Sequence, residues 1–213
     1  MRLRTKHTPP ERLAGLSDLA LYDLVREGGS RAEAAFRELY TRLSGNLYAY
    51  CRCLAWRQDE SDDLFQETIT RLYESALQGR EISNIAGYTI KIARNLFLNM
   101  QRDRKPMVSI EHDTLSVAGP SHEKTEMLAL IHMAMELLSE DYREAFFLRE
   151  FADLPYEEIA TIMNLTNANV RIRVTRAREK IRKTLEPYIA EFNETPKQKE
   201  AAPDRPIDVK KKK

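Results

Sequence analysis

The sequence predicts an all-α protein built as two small helical domains joined by a flexible linker. Three observations carry that expectation. Apolar residues recur at spacings of three and four, and no stretch shows the alternation of a strand. Only seven of the 213 residues are glycine while 31% are charged, a composition that suits helices in water. Periodicity is lost from Met107 to about Lys124, where Asp113, Ser116, Gly119, Pro120 and Ser121 accumulate.

The elements follow in order. Residues 1–15 are mostly polar with a Pro-Pro pair and read as a flexible start. Leu16 to Glu27 is a short amphipathic helix, with Ser17 or Asp18 placed to cap it and Gly28-Gly29 to end it. Arg31 to Trp56 is a long helix or helix pair, with Ala35, Leu39, Leu43 and Leu47 along one face. Ser61-Asp62 opens the next helix, which runs to about Leu77. Ala86 to Lys105 forms another, stopped before Pro106. Residues 16–106 make the first domain and 107–126 the linker. The second domain spans 127–190. It holds a helix ending near Leu138, then one capped by Ser139 and running to Phe151, with Glu140 and Asp141 at its positive end. Two further helices share a tight turn at Asn164: Tyr156 to Met163, and a second reaching about Leu185, where Pro187 discourages continuation. Residues 191–213 are polar, punctuated by proline and closed by four lysines, a tail expected to be disordered.

A net charge of +1 conceals strong segregation. Residues 57–74 balance at −4 and 136–158 at −6, whereas 86–106 balance at +4. Between Asn169 and Lys183 seven cations face one acid. Such alternation points to several partners of different sign. Other classes are excluded. Cys51 and Cys53 have no companion ligands for zinc, so no metal site is expected and both read as buried or half-buried thiols in a reducing compartment. No apolar run approaches the ~20 residues of a membrane span, and the start lacks a signal-peptide core. The expected location is the cytoplasm.

Three constellations carry function. On the helix from Asp62 to Ala76, Phe65, Ile69, Leu72 and Ala76 form the expected core stripe. Asp63, Gln66, Glu67, Thr70 and Glu74 occupy the opposite one. That acidic stripe is either a solvated surface or a docking face for a basic helix. Without a histidine beside it, acid–base or metal chemistry has little support. On the next helix, Ile92, Ala93, Leu96, Phe97 and Met100 are apolar, while Lys91, Arg94, Asn95, Arg102 and Lys105 cluster elsewhere. Tyr88 sits at its start after the loop Ser83-Asn84-Ile85. Cations beside an aromatic ring suit a single nucleic-acid strand; a core tyrosine with solvated cations is the plain alternative. The last constellation is the helix pair. Val170, Val174, Ala177 and Ile181 face a core, and the arginine-rich remainder suits a DNA groove.

Taken together, these segments resemble a known family. AFRELYTRL (35–43), DDLFQETITRLYES (62–75) and AGYTIKIARNLFLNMQRDRK (86–105) resemble the second conserved region of bacterial sigma-70 factors. LLSEDYREAFFLREFADLPYEEIATIMNLTNANVRIRVTRAREKIRK (137–183) resembles their fourth. With only these regions and a short linker, the chain resembles an extracytoplasmic-function (ECF) sigma factor. The resemblance implies a factor that is no enzyme and needs no cofactor, but recruits core RNA polymerase to promoters. It implies that Asp63, Gln66, Glu67, Thr70 and Glu74 bind a coiled coil of the β′ subunit. Asn84, Ile85, Tyr88, Lys91, Arg94 and Asn95 would capture an unstacked base of the minus-10 element. The fourth region would dock on the β flap and read the minus-35 element. There Asn167, Asn169, Arg171 and Arg173 would meet base edges, with Arg176, Arg178 and Lys180 on phosphates. An anti-sigma protein is an admissible further partner. Four features depart from the family pattern: Tyr88 where tryptophan is usual, Pro155 at a capping position, Asn164 in place of a turn glycine, and Asn167-Ala168-Asn169 at the reading end. The runner-up is an ordinary helix-turn-helix regulator, which has no need of the acidic helix.

Overall fold

The computed structural model describes residues 11–55, 57–103, 130–131 and 133–194, and among them every regular element is helical. The helices are α1 (Glu11–Ala14), α2 (Asp18–Glu27), α3 (Ala32–Leu54), α4 (Gln58–Leu77), α5 (Ile85–Asp103), α6 (Glu140–Glu150), α7 (Tyr156–Met163) and α8 (Asn167–Glu194). Described residues between 130 and 136 are helical as well. The expected linker and lysine tail lie outside the described residues.

Local chemistry explains most boundaries. Ser17 caps α2, its hydroxyl accepting from the Ala20 N–H at 3.2 Å, and Gly28 closes it at a φ of +73°. Asn84 stands before α5, where its Oδ1 accepts from the Gly87 N–H at 3.0 Å. Asn164 makes the turn after α7 at φ 54°, ψ 50°, a left-handed conformation that asparagine tolerates. Thr166 then caps α8, accepting from the Asn169 N–H at 3.2 Å.

Four expectations need correction. The helix expected from Ser61 begins at Gln58, with Asp59 and Glu60 in its positive first turn; Ser61 is buried inside it and donates to the Gln58 carbonyl at 2.8 Å. Ser139 precedes α6, but its side chain makes no capping bond; its carbonyl instead accepts from the Arg143 N–H. Helix α8 runs through Pro187 to Glu194. Proline lacks one N–H and crowds the preceding turn, which removes one bond of the ladder here without ending the helix. The core stripe of α4 is turned from the expected one: Leu64, Thr68 and Leu72 are buried, while Phe65 and Ile69 are half-buried. Thr68 is tolerated there because its hydroxyl donates to the Leu64 carbonyl at 2.6 Å.

Two apolar clusters organise the first four long helices. One gathers Leu21, Val25, Leu39, Leu43, Leu72 and Ile85 from α2 to α5. Arg42 ties α1 and α2 onto it, donating to the Leu16 and Ala14 carbonyls at 2.7 and 2.8 Å and to Asp18 at 3.0 Å. The other is shared between the two halves of the chain: Tyr50, Leu54, Ala93 and Phe97 meet Phe147, Leu148, Ile159 and Val170. The halves expected on a tether are therefore packed together. Their seam contains polar pairs. The Tyr50 hydroxyl donates to Glu144 Oε1 at 2.7 Å, and Arg94 Nε donates to the same oxygen at 2.8 Å. Arg143 Nε donates to the Cys53 carbonyl at 3.1 Å. Burial and the Glu144 carboxylate push the Tyr50 hydroxyl well above its ordinary ionisation range.

Candidate functional site

The acidic face of α4 is built as the spacing implies. Asp63, Gln66, Glu67, Thr70 and Glu74 are all exposed, opposite the buried Leu64, Thr68 and Leu72. Glu67 accepts from Arg71 Nε at 2.7 Å one turn away, and Thr70 donates to the Gln66 carbonyl at 2.9 Å. Exposed aromatic rings border the face: Tyr48 and Tyr40 stand edge-on to Phe65 at 5.6 and 6.1 Å. Tyr48 donates to Asp62 at 2.9 Å.

The residues grouped at the start of α5 are divided by the fold. Lys91 and Asn95 are exposed, and Tyr88 is half-buried with its hydroxyl 3.0 Å from Ser75 Oγ. Ile85 is 2% exposed and sits among Leu21, Val25 and Leu72, so in this conformation its side chain is core and offers a strand no surface. Asn84 Nδ2 lies 2.6 and 2.7 Å from the two carboxylate oxygens of Glu158 on α7. Arg94, expected among solvated cations, is turned into the seam against Glu144, its side chain 15% exposed. Beside Asn84, an open cleft of about 480 Å³ runs between Tyr88 and Lys91 on one wall and Glu157, Glu158 and Thr161 on the other. Gly87 permits this approach: a Cβ there would stand 3.1 Å from Asn84 Nδ2 and 3.2 Å from Glu158 Oε2. Sequence reasoning missed Glu144 and Glu158 because each meets a partner at least fifty positions away, and helical periodicity carries no trace of such pairing.

Helix α8 presents its buried line, Val170, Val174 and Ala177, to α6 and α7. Its cations lean sideways onto those helices. Arg171 Nε donates to Asn167 Oδ1 at 3.0 Å, and its guanidinium lies 4.4 Å over the Tyr156 ring. Asn167 in turn donates to Glu157 at 2.7 Å, and Glu157 is held below the usual carboxylate range by hydrogen bonds from its own backbone N–H and from Asn167. On the other flank Arg173 pairs with Asp141 at 2.9 Å, and Arg176 donates to the Tyr142 hydroxyl at 3.3 Å. Lys180 sits 5.2 Å over the Tyr142 ring, and Arg178 pairs with Glu150. Asn169 is exposed. So is Ile172, which the sequence reading passed over and whose signal was its place two residues from both Val170 and Val174.

Other chemistries find little support. Cys51 is buried and Cys53 half-buried, and burial pushes both thiols up to about 12, so neither is a thiolate at neutral pH. Among the described residues no cluster of His, Cys, Asp and Glu could hold a metal ion, and no helix is long and apolar enough to cross a membrane.

Comparison with known proteins agrees with this geometry. Residues 39–106 match the family described as Sigma-70 region 2, and residues 128–181 that described as Sigma-70, region 4. The chain is 30% identical to the RNA polymerase sigma-H factor of Pseudomonas aeruginosa over 189 residues, covering 82% of this chain and 96% of that protein. It is 28% identical to the ECF RNA polymerase sigma factor SigM of Bacillus subtilis, covering 68% of this chain and 91% of the relative. In fold it resembles the sigma factor RpoE in its co-crystal with the anti-sigma factor NepR from Bartonella quintana (TM-score 0.58, 24% identity, 71% of this chain and 96% of that one). It also resembles CnrH in complex with the cytosolic domain of CnrY (TM-score 0.56, 20% identity, 80% and 97%). With both conserved regions in order and a relative matched over nearly its whole length, the chain belongs to the sigma-70 family of RNA polymerase sigma factors, in its extracytoplasmic-function branch.

Proposed function

We propose that this sigma factor, which directs promoter-specific transcription initiation, divides that work among three surfaces, the second of them partly closed in this conformation. The exposed acidic line of α4 is the observation that carries the reading. Asp63, Gln66, Glu67, Thr70 and Glu74 would dock a basic coiled coil of core polymerase, the β′ element, through complementary charge. Asn84, Tyr88, Lys91, Arg94 and Asn95 would grip the unpaired minus-10 strand. Helix α8 would enter the major groove of the minus-35 element while its domain rests on the β flap. Polymerase supplies the chemistry and the factor supplies position, in the cytoplasm where polymerase works. An anti-sigma protein is a further partner on this reading, by analogy with the sigma factors that resemble this chain in fold.

The packed seam adds an order of events. Glu158 and Glu144 hold Asn84 and Arg94 while the two halves are closed, so strand capture follows their separation. The test is run-off transcription from promoter fragments by purified chain plus core polymerase. Promoter-specific transcripts are expected. An ordinary helix-turn-helix regulator would instead shift DNA without polymerase and yield no transcript.

A further inference from the structure

Ile172 is the largest apolar side chain left exposed on the described part of α8 before the proline, at 48%. Its direction is fixed by the helix. At 3.6 residues per turn, a residue two positions from both Val170 and Val174 lies nearly opposite them, and both of those are fully buried. Ile172 therefore lies on the solvent side of α8, at the rim of an open cleft it shares with Asn169, Arg173 and Arg176 and with Asp141 and Tyr142 of α6. Its charged neighbours are all tied elsewhere: Arg176, one turn on along the same face, donates to the Tyr142 hydroxyl. Arg171 is drawn to one side by Asn167 and Tyr156, and Arg173 to the other by Asp141. The outward centre of the helix is thus a branched hydrocarbon between two tethered cations. About half of this side chain is left to water, where it adds little to folding.

Resting on the assignment of α8 to the major groove, we propose that Ile172 is a specificity-determining residue which reads the C5-methyl group of a thymine. The major groove displays one apolar group, and it belongs to thymine. Arg171 and Arg173, held to either side, are placed for the phosphate walls of the groove rather than its floor, which alters the base-reading role the sequence suggested for them. Asn169, exposed one turn earlier, is left to hydrogen-bond an adjacent base edge. The branched side chain suits this task, since its stiff χ1 loses little freedom on contact.

The experiment uses holoenzyme reconstituted from the full chain and core polymerase. A duplex is first selected from a library randomised in the upstream element. It is then synthesised with deoxyuridine replacing each thymine in turn, which removes only the methyl group. One buried methyl-sized contact corresponds to roughly fourfold in affinity, so uracil at one position should lower wild-type occupancy by about that factor. I172A should lose the same factor on the thymine duplex and show no further loss with uracil, while I172V should keep the discrimination. Because the side chain is exposed, these variants are expected to fold, which circular dichroism checks. Equal binding of thymine and uracil at every position overturns the proposal, as does an I172A variant that still discriminates. Loss of polymerase binding by I172A, with no thymine effect, overturns it in favour of a protein contact. A holoenzyme that enriches no upstream element overturns the groove assignment of α8 itself, a different and recognisable result.

Discussion

Two residues show how far local chemistry can be read. The turn at Asn164 was legible, since a tight turn between two helical periods demands a left-handed residue and asparagine accepts that conformation. Asn164→Ala should cost on the order of 1 kcal/mol in thermal unfolding, and Asn164→Gly should cost little, because only the former adds a Cβ penalty without the side-chain compensation. Equal losses in both would mean that the amide makes a contact the turn requires. The cysteines were legible as buried or half-buried thiols, and Cys51 is buried and Cys53 half-buried. With both pushed up to about 12 by burial, iodoacetamide should modify them slowly in the native protein and rapidly in denaturant, read by mass spectrometry. Rapid native labelling of both would show that the seam opens often. Arg94 was legible only as a charge. Its partner in the closed fold, a carboxylate fifty positions later, was not.

Among the elements, α3 was the easiest to read: Ala35, Leu39, Leu43 and Leu47 recur by four and all four are buried. Helix α4 was harder for a definable reason. Its true core line includes Ser61, Thr68 and Ser75, whose hydroxyls satisfy themselves on carbonyls of the preceding turn, so hydrophobicity alone turned the expected face toward Phe65 and Ile69. The exposed acidic line survived that rotation, since all five of its residues still face solvent. Replacing Asp63 and Glu67 together by lysine should weaken binding of core polymerase by at least about tenfold, as like charges then meet. It should leave the melting temperature nearly unchanged, because the exposed Glu67–Arg71 pair contributes only a few tenths of a kcal/mol. Undiminished binding would remove this face from the polymerase contact.

For the whole molecule, the shared cluster of Tyr50, Phe97, Phe147 and Val170 holds the two halves closed. Each half was recognisable from its own periodicity, but nothing local records which surface of one half meets the other. Tyr50 reports on that contact. Its hydroxyl is protonated in the fold well beyond the ordinary value of 10.0, so the stability it adds is complete below pH 10 and declines as pH rises above it. Melting curves from pH 8 to 11 should therefore show a steeper alkaline loss for the wild type than for Tyr50→Phe. At neutral pH that variant should itself be less stable by on the order of 1 to 3 kcal/mol, having lost a hydrogen bond to a carboxylate. Parallel alkaline slopes would show that Tyr50 ionises freely.

The contact between Asn84 and Glu158 across the Gly87 gap has a quantitative consequence. A strand that binds only separated halves encounters only the fraction of molecules that are open, and its apparent affinity is reduced by that fraction. Each 1.4 kcal/mol holding the halves together thus costs a free chain tenfold in strand binding. On the proposed function, core polymerase would remove that handicap by engaging the two halves apart before DNA is met. The seam would then act as a filter against stray single strands, its strength setting how silent the factor is until polymerase takes it up.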